Sequence, residues 1–141
     1  MAELFAVVRI RGPAQKRHES NETLKMLRLT RANHCVLVPK NRDFEGMLKK
    51  AKDLITWGEI DREALERLVE KRGRFPGDKR LPKEKAFEIS RKILNGEPVD
   101  IKNVFRLSPP SKGFSSVKLL YPKGDLGYRR EKINELLKRM M

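Results

Sequence analysis

The chain has 141 residues and a formal net charge of +14, from 33 Lys+Arg against 19 Asp+Glu. That length suits one domain, or a small core with an extension, and should bury roughly two-thirds of the unfolded surface; with 38% hydrophobic residues the chain is too apolar to be wholly disordered. A basic excess of this size points to a polyanion, nucleic acid before an anionic membrane surface, and the lone Cys35 excludes an intrachain disulfide.

Residues 4 to 10, LFAVVRI, are β-branched and aromatic and stop at Gly12-Pro13. They predict a strand with Ala6, Val8 and Ile10 on one face and Phe5 and Val7 on the other. Ser20 or Asn21 is placed to cap a helix running to about Leu29, with Leu24 and Leu27 inward. HCVLVP at 34 to 39 predicts a second strand, closed by Pro39. Asp43 is then placed to cap a helix whose Phe44, Met47, Leu48, Ala51, Leu54 and Ile55 form one apolar stripe. A third strand over about Ile55 to Ile60 completes a β-α-β-α-β series.

Beyond residue 60 the texture changes. Asp61 should cap a helix carrying Ala64, Leu65, Leu68 and Val69, which runs into the basic loop KRGRFPGDKR. KEKAFEISRKIL at 83 to 94 predicts another helix, with Ala86, Phe87, Ile89, Ser90 and Ile93 toward the core, stopped by Asn95-Gly96. A Pro-, Gly- and Ser-rich stretch follows, with strand-like VKLLY inside it. The ending GYRREKINELLKRMM predicts an amphipathic helix with Ile133, Leu136, Leu137 and Met140 on one face.

The placement of charge says more than its total. No Asp or Glu occurs from 4 to 18, from 23 to 42, or from 101 to 124, whereas acids gather between 43 and 70. A phosphate backbone suits such a pattern, because each neutralised phosphate releases counterions and a nearby carboxylate cancels the gain. Solvated charge on a thermostable surface is the competing explanation for any single lysine, but it does not account for acid-free windows of this length.

Catalytic constellations are missing from the sequence. Phosphate-loop, nucleophile-elbow and zinc-protease spacings do not occur, and one Cys with two His gives no zinc spacing, so no catalytic, metal or cofactor site is expected. Glu63, Glu66 and Glu70 alternate with Arg62, Arg67 and Lys71, as on a solvated helix face. Cys35, in an apolar strand, is expected to be a packed thiol. Eleven residues between the helices at 61–71 and 83–94 are too many for a helix-turn-helix. The N-terminus lacks signal-peptide features and no stretch reaches membrane-spanning length, so a reducing cytoplasmic setting is expected.

Specific strings then point to a family. TLKMLRLTRANHCVLVPKNRDFEGMLKKAKDLI (23–55) contains Thr-Leu-Lys-x-Leu-x-Leu-x-Arg-x-Asn (Thr23 to Asn33) and Gly46-Met47-Leu48-x-Lys50-x-Lys52-x-Leu54. It resembles the core of the large-subunit ribosomal protein family numbered thirty, whose eukaryotic relatives are numbered seven. WGEIDREALERLVEKRGR, FRLSPPSKG and GDLGYRREKINELLKRMM resemble the archaeal and eukaryotic form, which carries an extension that bacterial members lack. The missing basic N-terminal arm favours the archaeal form.

The resemblance implies an α+β fold: a core of residues 1–60 with a three-stranded antiparallel sheet and two helices on one face, related to the ferredoxin-like fold. Connectivity alone leaves a parallel crossover open. A mostly helical extension, 61–141, would pack on this core. The implied role is non-enzymatic: a structural constituent of the large ribosomal subunit in the cytoplasm, contacting ribosomal RNA and neighbouring ribosomal proteins, with no membrane or small-molecule substrate. With the acid-free windows, it gives an expected RNA face of Arg11, Gly12, Lys16, Arg17, His18, Arg28, Arg31 and Asn33, extended by Lys71, Arg72, Arg74, Lys79, Arg80, Arg106, Pro109, Lys112, Arg129 and Arg130. A free regulator of duplex DNA is the alternative.

Overall fold

The structure is a computed structural model and describes residues 4–10, 18–29, 31–52, 54–75, 79–80, 82–95, 104–111, 113, 121 and 123–141; for 18–21 and 80 only the backbone is described. In chain order the elements are β1 (Leu4–Arg9), α1 (His18–Met26), β2 (His34–Pro39), α2 (Arg42–Lys50), β3 (Ile55–Glu59) and α3 (Arg62–Arg72). The small strands β4 (Arg74–Phe75) and β5 (Lys79–Arg80) follow, then α4 (Lys83–Leu94), β6 (Val104–Arg106), β7 (Gly127–Tyr128), a 3-10 turn at Arg130–Lys132 and α5 (Ile133–Met140).

The expected antiparallel core is present, with β1 between β2 and β3; Val7 lies opposite Val36 on one side and Trp57 on the other. The rest of the chain widens it to five strands in the order β6-β2-β1-β3-β7. β6 joins β2 antiparallel and β7 joins β3 parallel, so the finished sheet is mixed. Period-two alternation sends the side chains of β1 to opposite faces, and both faces are covered. Phe5 and Val7 pack with Leu24 and Leu27 from the end of α1 and Leu48 and Ala51 from the end of α2. Ala6, Val8 and Cys35 pack against α3, α4 and α5 through Leu65, Leu68, Ile89, Ile133, Leu136 and Leu137. Residues beyond 60 therefore close a sheet face that the first sixty leave open. Burial pushes the Cys35 thiol up to about 12, against a smaller lowering by a backbone hydrogen bond from Val7, so it stays a protonated packing group.

Several boundaries differ from expectation for local reasons. α1 starts at His18, so Ser20 and Asn21 lie inside it rather than at its cap. Asn41, not Asp43, caps α2, its side chain accepting from the Phe44 N–H at 2.9 Å. α2 stops at Lys50, and Leu54 and Ile55 reach the same core from the following turn and β3. Asp61 caps α3 as expected, accepting from the Ala64 N–H at 2.7 Å. The basic stretch after α3 contains the β4-β5 pairing instead of a plain loop. Phe87, expected inward, is 45% exposed because the buried stripe of α4 runs through Ala86, Ile89 and Ser90; its ring carries the Arg91 guanidinium 5.1 Å from the centroid. Most of the strand-like 117–121 stretch lies outside the described residues.

The extension is held by close backbone approach. An ideal Cβ on Gly58 would lie 1.9 Å from the Arg130 carbonyl oxygen, so the 3-10 turn rests directly on β3. The Arg129 N–H donates to the Trp57 carbonyl at 2.9 Å. Asn134 ties α5 to the end of the same strand, accepting from the Asp61 N–H at 3.0 Å and donating to the Glu59 carbonyl at 3.3 Å.

Candidate nucleic-acid interface

One end of the sheet collects the C-terminus of β1 and the N-termini of β2 and β3, and His34 there faces Arg106 across the β2-β6 ladder. The loop from α1 to β2 lies over this end. α1 terminates in a Schellman arrangement: the Leu29 N–H donates to the Leu24 carbonyl at 2.8 Å and the Arg28 N–H to the Lys25 carbonyl at 3.0 Å. Leu24 and Leu29 are both fully buried and supply its apolar contact. Arg28 occupies the left-handed position with φ of 63°, where glycine is the usual residue.

The loop is fixed from beneath by Arg9, which is 4% exposed and donates through Nη1 to the Leu29 carbonyl at 2.6 Å. Asn33, at φ of 65°, donates its N–H to the Arg9 carbonyl at 2.7 Å, and its own carbonyl accepts from the Leu107 N–H at 3.0 Å. A rigid seat therefore presents Arg28, Arg31 and Arg106, all exposed. His34 registers the resulting field. Burial first, then the charges of Arg106, Arg31 and Arg9, hold its pKa below the ordinary histidine value of 6.5. Its Nδ1 is buried and finds no partner among the described residues, so a proton there would be an unpaired buried donor.

This shift sets a sign for pH. The folded chain binds fewer protons at His34 than the unfolded chain does. The associated stability is complete above about pH 6.5 and is lost as pH falls through the depressed folded value. Urea midpoints should therefore drop on the acid side, and His34→Gln should remove part of that drop; parallel profiles for the two proteins would refute the assignment.

The other expected face residues divide. Arg28, Arg31, Asn33 and Arg106 come together at the basic end, and Pro109 is exposed three residues beyond Arg106. Lys71 is exposed at the end of α3, next to the Arg72 that reaches Arg106, and Lys79 is exposed on β5. Arg72 is half-buried and already engaged, donating to the Arg106 carbonyl at 3.3 Å, Ser108 Oγ at 2.8 Å and the Met141 carbonyl at 3.1 Å. Arg74 donates to the Gly73 carbonyl at 2.9 Å. Arg130 is exposed but sits by Tyr128, on the far side of β3. Arg11, Gly12, Lys16, Arg17 and Lys112 lie outside the described residues, as do the side chains of His18 and Arg80.

Arg129 requires correction: it is 4% exposed and points into the protein. Its guanidinium donates to Thr56 Oγ1 at 2.9 Å and to the Asp125 carbonyl and carboxylate at 2.7 and 3.1 Å. It is a fold residue, not part of the exposed face. Conversely, Arg9 and His34 belong to this end although the expected face did not include them. Arg9 was detectable, since residues 5, 7 and 9 share a strand face and the first two are core; the setting of His34 depends on β6, a strand the sequence did not announce.

Comparison with known proteins gives a consistent result. The family model for ribosomal protein L30p/L7e matches residues 5–55. A large ribosomal subunit protein uL30 from Methanococcus maripaludis is 47% identical, the match covering 97% of this chain and 99% of the relative. Proteins of the same name from Archaeoglobus fulgidus and Methanosphaera stadtmanae are 42% and 41% identical, with 97% and 98% of this chain covered.

Proposed function

The chain belongs to the ribosomal protein L30p/L7e family, and from that premise we propose that it is a structural constituent of the archaeal large ribosomal subunit, binding and stabilising ribosomal RNA without catalysing a reaction. The observation that carries this is the 47% identity along almost the full length of both chains. The free duplex-DNA regulator finds no support in that match. On this reading the partners are ribosomal RNA and adjoining ribosomal proteins, and the setting is the cytoplasmic ribosome. Among the described residues no helix is long and apolar enough to cross a membrane.

The RNA-binding face comprises Arg28, Arg31, Asn33 and Arg106 at the basic end, with Pro109, Lys71, Lys79 and residues 11–17 as further contributors. Arg72 braces this end through the Arg106 carbonyl and Ser108, while Arg74 holds the carbonyls at the end of α3. Residues 1–60 act as the core domain and 61–141 as an extension packed on it. The mechanism is phosphate neutralisation on a preformed surface, with recognition of RNA shape rather than of long sequence. Support comes from the seating of the α1-β2 loop, which fixes its arginines before RNA arrives and so reduces the ordering cost of binding.

Sedimentation of a cell extract at moderate salt tests the assignment: the protein should travel with the large subunit, and its absence there would overturn it. A finer test uses Arg28. Glycine relieves the left-handed backbone, so Arg28→Gly should raise stability by up to about 1 kcal/mol. The same change should reduce the slope of log affinity against log salt by roughly one unit if the side chain meets a phosphate. An unchanged slope would remove Arg28 from the face.

A further inference from the structure

A second site lies on the α2 side of the sheet, toward the end away from the arginines. Phe5, Trp57 and Tyr128 floor a groove of about 280 Å³, and Lys40, Glu45 and Lys49 rim it. Ligand pockets start at about 300 Å³, so the groove suits one flat group rather than an extended ligand. Phe5 and Trp57 are buried, but Tyr128 is 41% exposed. Tyr128 stacks over Trp57 at 6.1 Å and 26°, and Phe5 meets it edge-on. The Tyr128 hydroxyl donates to Glu59, which also holds the Lys40 ammonium at 3.0 Å, so the exposed ring is fixed in place.

The rim is arranged for a ligand with both donors and a negative charge. Glu45 and Lys49 are four residues apart on α2, a spacing at which Glu and Lys commonly pair. Among the described residues they form no ion pair with each other or with another group, and both line the groove. The Glu59 carboxylate is already committed to Lys40 and Tyr128. That leaves the Glu45 carboxylate and the Lys49 ammonium lining the groove, with Arg130 close enough to act electrostatically on Tyr128. A cationic side chain from a neighbouring protein would meet Lys40, whose ammonium already lies 5.8 Å from the Phe5 centroid.

We propose that this groove binds an unpaired guanine nucleotide of RNA, its base stacked on Tyr128 above Trp57, its paired N–H donors on Glu45 and its phosphate at Lys49. Aromatic rings take any base face; the carboxylate selects guanine, whose adjacent ring and exocyclic N–H groups can both donate to it. The proposal rests on the RNA-binding reading above and places a single-nucleotide contact away from the basic end.

Trp57 is the chain's only tryptophan, so its emission reports the groove alone. Titrating the full chain with guanosine 5′-monophosphate should quench Trp57 saturably. Glu45→Gln should weaken that binding roughly ten-fold and leave the response to adenosine 5′-monophosphate unchanged. Lys49→Ala should weaken binding of guanosine monophosphate but not of guanosine. Silence of Trp57 toward the nucleotides, equal responses with and without the Glu45 carboxylate, or quenching by an arginine-rich peptide alone would each overturn the proposal. Fragments of ribosomal RNA provide the separate control. If they still bind with undiminished salt dependence while Trp57 is silent, the groove proposal fails and the family reading stands; if they do not bind, the RNA reading fails as well.

Discussion

Gly58→Ala should destabilise the chain by about 3 kcal/mol or more, at the upper end of what overpacking costs. A Cβ there would sit 1.9 Å from the Arg130 carbonyl oxygen and 3.0 Å from the Ile133 Cβ. The obstacle is backbone, which cannot swing away as a flexible side chain could. Gly58 lies in β3, paired with β1 at the centre of the sheet, so relief must come from the C-terminal segment. Moving that segment breaks the Arg129 N–H bond to Trp57 and the Asn134 bonds at 59 and 61, and it draws Ile133, Leu136, Leu137 and Met140 away from the core. Thermal unfolding should fall by roughly 10 °C, and limited proteolysis should cut first near the 3-10 turn. Melting within a degree or two of the parent, with α5 still protected, would show that the turn does not rest on Gly58.

Arg129→Ala should cost about 3–5 kcal/mol, as expected when one partner of a buried ion pair is removed. Asp125, 4% exposed, would lose the guanidinium that faces it, and Thr56 Oγ1 would lose a donor. The adjacent Arg130→Ala should leave the melt within about 1 kcal/mol, since that side chain is exposed. Replacing Arg129 and Asp125 together by Met and Leu should recover most of the loss, because an apolar pair removes both buried charges at once. Arg129→Ala should also leave the salt dependence of RNA binding intact in protein that remains folded. A stable variant with a flattened salt dependence would return Arg129 to the RNA face.

How far the sequence reaches varies along the chain for physical reasons. α4 and β2 match their predicted bounds, because each is a compact periodic run closed by residues that cannot continue it, Asn95 after one and Pro39 within the other. Asp61 was identifiable as a cap from its position before Ala64 and Leu65. The α2 cap was displaced by two residues, since Asn41 and Asp43 are both competent acceptors and only the folded turn decides which meets an N–H. β6 and β7 were not legible. They are three and two residues long, too short for a period, and exist as strands because β2 and β3 offer them open edges.

For the candidate interface, acid-free windows and family strings identified the 28–33 loop and Arg106 without assembling them. Sequence placed Arg129 beside Arg130 as equivalent basic residues. Folding sends one to Asp125 and leaves the other on the surface, a difference created by Thr56, distant in the chain, together with Asp125, four residues before Arg129.

By itself, then, the sequence determined the family, the β-α-β-α-β order and the segregation of charge, because these depend on local patterns and on matched strings. Only the tertiary structure decided which arginines are available, what covers the second face of the sheet, and where the aromatic groove opens. Those outcomes depend on contacts between distant segments: Gly58 against Arg130, Arg9 beneath Leu29, Trp57 beside Tyr128. A charged side chain has the same composition wherever it lies, and its solvation and partners are set by the packing around it.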